Sequence, residues 1–417
     1  MTDNNPYDPN STYHYPPHNY YAQPKPDTIP VETQNAKGSG FGKKATSITI
    51  AACLVSALFG GAVGGTVVSA AQTDGSGTGS SSASSAPVTN TVSKTTTTNL
   101  AATVKSSFSS VVTISAIAGQ EAGTGSGVVI NKDGYIVTNA HVATLEGATD
   151  QAKLTVQTST GDTYTAQLVG YDPTADVAVL KVDKNAKGIK PINFAPSDGL
   201  QVGSQTIAIG SPLGLSGTVT TGIISSLNRP ISVSSSQVGQ NQQSNSYSQQ
   251  SSTTVALSAI QTDAAINAGN SGGALLDGNG NLIGLNVAIS STSQNSGSIG
   301  IGYAIPSDYV KRIATEIIKN GQGTHGSLGV SVTDDAEANT SFTTGATVQA
   351  VNSNSSAADA GLQKGDVITK VDDTVISSAT QLTAVIKQDA PNTKVTVSYE
   401  RDGKPNTTEV TLKQLSS

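Results

Sequence analysis

The chain contains four histidines, and one of them sits where an imidazole could do chemistry. His14 and His18 lie in an N-terminal stretch rich in Pro, Tyr and Asn, and His325 stands at a junction between two regions of different texture. His141 closes the string Tyr135-Ile-Val-Thr-Asn-Ala-His141, just past an apolar run whose rigid end would present the ring to a cleft. A lone histidine after a strand is more often structural, and three imidazole ligands for a metal cannot be assembled there. No metal and no cofactor is expected.

A nucleophile is offered by Gly269-Asn270-Ser271-Gly272-Gly273, where glycines on both sides let a tight turn lift the serine Oγ. Such a turn also brings main-chain N–H groups near a substrate carbonyl, as an oxyanion hole requires. The same string suits an ordinary loop, but not a phosphate loop, because the Lys-Ser/Thr pair that reaches phosphate and metal is missing. A third member should be a carboxylate that orients the imidazole. Asp176 opens the apolar run Val177-Ala-Val-Leu-Lys-Val182 and would stand at the mouth of a buried strand, where it could equally act only as a cap. Asp172 precedes a proline and reads as a turn residue, Asp162 follows Gly161 in a hairpin, and Asp263 is close to Ser271 in sequence. The order His141, Asp176, Ser271 is the chymotrypsin-type order. A lipase or esterase on an α/β fold would need Gly-x-Ser-x-Gly on a strand-to-helix turn and the order Ser, Asp, His, and neither condition is met.

The elements that must hold these residues are short and β-rich. Val111–Ile114, Gly127–Ile130, Tyr135–Thr138, Val177–Val182, Thr206–Ile209, Gly222–Leu227 and Leu282–Ala288 alternate with Gly, Asn and Asp, the pattern of an all-β barrel or sandwich. Lys132-Asp133-Gly134 between two runs signals a hairpin. Ser307–Asn320 reads as a helix with Ser307 as N-cap and Val310, Ile313 and Ile317 on its buried face. Residues 231–254, rich in Ser, Gln and Asn, read as a long surface loop. From Gly326 to Ser417 strands are expected at Leu328–Val332, Ala346–Val351, Asp366–Val371, Lys394–Tyr399 and Glu409–Leu412, with helices at Ser356–Gly361 and Ala379–Gln388, a compact α+β domain.

The rest of the chain explains an unusual composition. Of 417 residues, 36% are hydrophobic and 12% charged, both below globular norms, so part of the chain must be polar and unpacked. Residues 1–44 show no apolar period and read as a disordered tail. Residues 45–71 carry no charge and are long enough to span a bilayer. Lys37, Lys43 and Lys44 precede that run, which places the N-terminus in the cytoplasm and the later domains outside. A cleaved signal peptide would have a shorter apolar region nearer the start. Residues 72–99 are a Ser/Thr/Gly-rich linker. Cys53 is the one cysteine, so no intramolecular disulfide can form. The net charge of −6 and the lack of a basic cluster exclude a nucleic-acid partner.

At these residues the chain resembles the HtrA/Deg family of trypsin-like serine proteases. The resemblance is carried by Thr138-Asn-Ala-His141-Val, Asp172 through Val182 with Asp176, Gly210-Ser-Pro-Leu-Gly214, Gln261 through Leu275 with Ser271, and Gly300-Ile-Gly-Tyr-Ala-Ile-Pro306. The family pattern often has Pro where this chain has Ala268 and Ala274. The resemblance implies a mainly β fold, with a chymotrypsin-like double β-barrel at 100–322 followed by one PDZ domain at 326–417; the charge-free run at 45–71 adds a single transmembrane helix ahead of them. It implies a His141–Asp176–Ser271 triad, an oxyanion hole from the N–H groups of Gly269 and Ser271, and a specificity pocket around Ile266 and residues 285–302. The pocket has no acidic or basic lining, which suggests cleavage after small or medium aliphatic residues. Ser327-Leu328-Gly329-Val330 would be the PDZ carboxylate-binding loop, with Ala379–Gln388 the other wall of its groove. Expected partners are unfolded protein or peptide substrates, C-terminal peptides at the PDZ domain, membrane lipid through the anchor, and further copies of the chain in a homotrimer or larger assembly. Family trimers use aromatics near the start of the protease domain, where this chain has only Phe108 between residues 100 and 120. Residues 231–254 would fall at the family's sensor loop. The implied role is degradation of misfolded exported proteins in the envelope, the alternative being a PDZ-based chaperone or binding protein.

Overall fold

A computed structural model describes residues 99–211, 217–235, 253–288, 298, 300–336 and 343–416. The tail, the apolar run at 45–71, the linker up to residue 98 and the tip of the 231–254 segment lie outside the described residues. Among those described, no helix is long and apolar enough to cross a membrane.

The described chain opens with α1 (Leu100–Ser107), capped by Asn99 Oδ1, which accepts from Ala102 N–H at 3.2 Å. One 3-10 turn follows at Phe108–Ser110. Leu100, Val104 and Phe108 are spaced four apart and rest together on the protein core, and the Phe108 ring occupies the space a Cβ on Gly217 would need. Phe108 is thus partly buried against its own chain.

Next come β1 (Val111–Ala118), β2 (Glu121–Val129), β3 (Tyr135–Thr138), α2 (Ala140–Ala143), β4 (Lys153–Gln157), β5 (Thr163–Asp172) and β6 (Val177–Lys181). The strands close into an antiparallel barrel in the order β1-β2-β3-β6-β5-β4. A second barrel follows: β7 (Gln205–Gly210), β8 (Thr218–Ser235), β9 (Thr253–Thr262), β10 (Ala274–Asp277), β11 (Leu282–Val287) and β12 (Gly302–Pro306). It closes along the same path, β7-β8-β9-β12-β11-β10.

Strand β6 shows why its sequence is apolar at successive positions rather than at alternate ones. Ala178 and Leu180 point into the first barrel, while Val177 and Val179 point outward into a larger core shared with Ile207, Ile209 and Leu285 of the second. Successive side chains of a strand face opposite ways. A strand between two cores must therefore be apolar on both faces.

The 231–254 segment differs from the expected loop. Strand β8 continues to Ser235 and β9 starts at Thr253, with Ile231 opposite Leu257 and Val233 opposite Val255, all four buried. The serine-rich composition concealed this pairing, because the buried residues occupy only alternate positions.

Helix α3 (Ser307–Asn320) lies across β5, β6, β11 and β12 and so spans both barrels. Its N-cap is Pro306 rather than Ser307, whose Oγ donates to the Ala195 carbonyl at 2.8 Å. Gly321, at φ +81°, ends it in a left-handed turn.

Beyond it lie β13 (Gly326–Ser327), β14 (Val330–Ala336), β15 (Thr343–Val351), α4 (Ser356–Asp359), β16 (Val367–Val371), β17 (Thr374–Val375), α5 (Ala379–Gln388), β18 (Lys394–Arg401), β19 (Lys404–Thr411) and β20 (Lys413–Gln414). Their main sheet runs β14-β15-β16-β18-β19, leaving β14 at an edge, with a separate core around Leu328, Val348, Ile368, Leu382, Ile386 and Val397.

Candidate active site

His141 is the second residue of α2, the single helical turn after β3, and Asp176 ends the turn between β5 and β6. Since β3 and β6 are paired, with Thr138 opposite Ala178, the two residues emerge side by side from one edge of the first barrel. Asp176 takes a left-handed backbone with φ +51°, a conformation aspartate tolerates better than most residues. Its carbonyl accepts from Asn139 Nδ2 at 3.0 Å, and its Oδ1 accepts from the His141 main-chain N–H at 3.1 Å. The two carboxylate oxygens lie 3.0 and 2.9 Å from His141 Nδ1. The ring is thereby held through Nδ1, and among the described residues Nε2 has no protein partner.

Burial of the ring works against a positive charge. The Asp176 charge and its hydrogen bond, with Glu146 adding a smaller negative field, outweigh it and raise the imidazole pKa from 6.5 to about 9. An imidazolium here is stabilised by its partner carboxylate.

Ser271 belongs to the second barrel, in the turn before β10, and is buried with the first barrel against it. Its carbonyl accepts from Ser126 N–H at 2.8 Å, while Ser126 Oγ donates to the Gly269 carbonyl at 2.7 Å and accepts from Ser211 N–H at 2.8 Å. A Cβ on Gly272, at φ +78°, would come within 2.2 Å of the Ser126 carbonyl and 2.3 Å of Thr138 Oγ1. Glycine is required there for both its backbone angle and its lack of a side chain, and the turn lies directly against Thr138 and Asn139, just ahead of His141.

Ser271 Oγ accepts from Ala288 N–H at 3.0 Å and makes no hydrogen bond to His141. Catalytic bonds of this kind are often open until substrate binds. Gly269 has φ +91°, and among the described residues neither its N–H nor that of Ser271 donates to a protein acceptor. Two unsatisfied amides beside a serine Oγ are what a developing oxyanion needs.

The other candidate carboxylates serve elsewhere. Asp263 Oδ1 accepts from Ile223 N–H at 2.7 Å, and Asp162 Oδ2 accepts from Thr160 Oγ1 at 2.8 Å. Asp172 does close a turn, its Oδ1 accepting from Ala175 N–H at 2.9 Å, but its Oδ2 also meets His325 Nε2 at 2.8 Å, a partner with no local signal in the sequence. Ile266 is buried among Ala208, Ile224, Ile260 and Leu275 and rests on Gly302, where a Cβ would collide with it. Residues 289–297 and 299 of the expected pocket lie outside the described residues, as do 212–214 of the Gly210–Gly214 string.

In the C-terminal domain Leu328 is a core residue, and Gly329 adopts φ +71° with Ser355 Cβ where its own would stand. The Leu328 and Gly329 carbonyls are occupied by Ala357 N–H and Asn352 N–H, both at 2.9 Å. Val330 begins the edge strand β14, and α5 packs beside it.

Ser126, Asn139 and Ala288 were not singled out from the sequence. Gly125-Ser126-Gly127 carries the same glycine-flanked serine signal as Ser271, and local sequence could not distinguish the serine that stitches the barrels from the one whose hydroxyl is presented.

Residues 125–285 match the trypsin-like peptidase domain family, and residues 326–412 match the PDZ domain family. The serine protease PepD of Mycobacterium tuberculosis is 44% identical over 313 residues, which cover 73% of this chain and 63% of that protein. The periplasmic serine endoprotease DegP of Escherichia coli is 41% identical over 304 residues, covering 70% of this chain and 57% of DegP. The serine protease Do-like HtrA of Lactococcus lactis is 38% identical over 311 residues, covering 70% of this chain and 71% of that relative. The chain therefore spans only about three-fifths of the length of the first two. Among solved structures, the HtrA-type protease AlgW with a tripeptide aligns at TM-score 0.54 and 34% identity, covering 76% of this chain and 98% of that one.

Proposed function

The chain belongs to the HtrA/Deg family of serine proteases, and from that premise we propose that it is a membrane-anchored serine endopeptidase that degrades misfolded or damaged exported proteins. The observation that carries the reading is the His141 ring held by both oxygens of Asp176, with Nε2 left unpartnered, next to the Gly272 turn that bears Ser271.

In the proposed reaction the Ser271 hydroxyl turns from Ala288 N–H toward His141 Nε2, gives up its proton and attacks a peptide carbonyl. The oxyanion is held by the amides of Gly269 and Ser271; a single such donor contributes about 2.7–4 kcal/mol in related chemistry. His141, charged while Asp176 faces it, then returns the proton to the leaving amine, and water repeats the sequence on the acyl-enzyme. Main-chain groups and a pocket near Ile266 without charged lining favour small or medium aliphatic side chains before the cut.

The PDZ domain would take C-terminal peptides by strand addition to the open edge of β14, with the carboxylate at Ser327–Val330 and α5 as the facing wall. Residues 45–71 would anchor the chain in the plasma membrane, with the N-terminus cytoplasmic and both folded domains outside. Assembly of three or more copies would follow the family's habit.

The test is cleavage of casein by the full chain in detergent. Ser271→Ala should reduce turnover by at least about 10⁴-fold with the fold retained. Equal cleavage by the variant and the parent would overturn the assignment.

A further inference from the structure

A second histidine–aspartate pair lies outside the catalytic constellation. Asp172, His325 and Tyr309 are each at least nine-tenths buried. Asp172 is the last residue of β5 and stands opposite Val177 in register, so residues 173–176 form the turn that ends in the catalytic carboxylate. The two Asp172 oxygens have separate tasks. Oδ1 accepts from Ala175 N–H inside that turn at 2.9 Å, and Oδ2 accepts from His325 Nε2 at 2.8 Å. Gly323 makes this approach possible, since a Cβ there would lie 2.2 Å from Oδ2.

The far side of the His325 ring is also engaged. Nδ1 lies 3.1 Å from the Tyr309 hydroxyl and 3.1 Å from the Lys387 carbonyl at the end of α5. Burial and the Asp172 charge hold the Tyr309 hydroxyl protonated, well above its usual range. His325 thus joins three parts of the molecule: the turn before Asp176, the helix that spans the barrels, and the PDZ domain. Losing it would leave one oxygen of a buried carboxylate without a partner, and such a group is costly unless it moves toward water. Movement of Asp172 would carry Ala175 and the strained Asp176 with it.

We propose that His325 is a positioning residue for the reaction: by holding Asp172 Oδ2 it sets the turn that presents Asp176 to His141, and so makes the docked PDZ domain part of the catalytic geometry. The inference rests on the proposed triad. A shift of about 1 Å at a catalytic group can lower a rate about 10²-fold, and a smaller displacement transmitted through one turn should lower kcat roughly tenfold.

The experiment uses the full chain with histidine-selective isotope labelling, which four histidines make tractable. His141 is titrated by NMR in the Ser271→Ala background, and kcat and KM on casein are measured with Ser271 intact. In His325→Gln the amide nitrogen stands where Nε2 was and can still donate to Asp172. In His325→Asn it stands where Nδ1 was and cannot. The Asn variant should show the His141 midpoint lowered by roughly one pH unit and kcat reduced about tenfold with KM within twofold, whereas the Gln variant stays close to the parent. Two folded variants with the parent's His141 midpoint and kcat would overturn the proposal, as would equal losses in both, which would mark His325 as a packing residue. Failure of the triad reading would show separately, as Ser271→Ala cleaving casein like the parent, and the Asn-against-Gln contrast in the titration would still decide the role of His325.

Discussion

Two histidine–aspartate pairs are built on one hairpin connection, from Asp172 at the end of β5 to Asp176 just before β6, and only one has the surroundings of a base. Both are short, 2.9 Å for His141–Asp176 and 2.8 Å for His325–Asp172, and both are largely withdrawn from solvent. The difference lies on the far side of each ring. His325 meets Asp172 with one nitrogen and Tyr309 and Lys387 with the other, whereas His141 uses only Nδ1 and, among the described residues, Nε2 has no partner. A histidine beside a carboxylate is therefore not by itself a catalytic signal; in the proposed reaction it is the unfilled nitrogen that would take the proton.

The largest effect that would sharpen this contrast comes from neutralising each carboxylate in turn. Asp176→Asn should lower kcat about 10⁴-fold, the scale seen when the tautomer-fixing carboxylate of a triad is lost, while Asp172→Asn should lower it about tenfold. Comparable losses from the two, measured on casein, would break the distinction.

The next effect is in pH. The raised His141 pKa means that the neutral base accumulates only as pH approaches about 9, so kcat/KM should climb from pH 6 and level off above that value. Stability runs the other way. A group whose folded pKa exceeds its unfolded value of about 6.5 stabilises fully below that value, and the stabilisation is lost as pH rises through the folded pKa. Thermal midpoints of the Ser271→Ala protein should therefore decline between pH 6.5 and about 9, and adding Asp176→Asn should flatten the decline. An unchanged slope would mean that the pair is not coupled as its geometry indicates.

Gly323→Ala acts first on the junction, against Asp172 Oδ2 and Ile313. Its new methyl group would push Asp172 Oδ2 from His325, with about 1–3 kcal/mol lost in denaturant unfolding, the usual scale of overpacking. Tyr309→Phe is the mildest change. It removes one hydroxyl from a ring nitrogen that still faces Lys387, and should remove about 1 kcal/mol of stability while leaving the pH midpoint of activity in place.

These contrasts also mark what could be read from residues alone. His141, Asp176 and Ser271 stood out because histidine was scarce, glycines flanked the serine, and the chain order suited one arrangement. Strands such as β6 were visible because burial on both faces demands consecutive apolar residues. Strand β4 was not, since a half-covered strand of five residues offers only two apolar positions, Leu154 and Val156, too short an alternation to stand out. The ends of β8 and β9 were hidden in the same way by serine. No local pattern could have joined Asp172 to His325, which are 153 positions apart and meet only when α3 and the segment after it fold back across the first barrel.

Helix α5 is a shared party wall. Leu382 and Ile386 face the core of its own domain, while Gln381 and Gln388, two turns apart, donate to the Asn228 and Ser258 carbonyls of the second barrel, and Arg312 of α3 donates to the Gln388 carbonyl. A shift of this helix against the barrels would therefore also shift the core of its own domain, because the same ten residues are anchored on both sides.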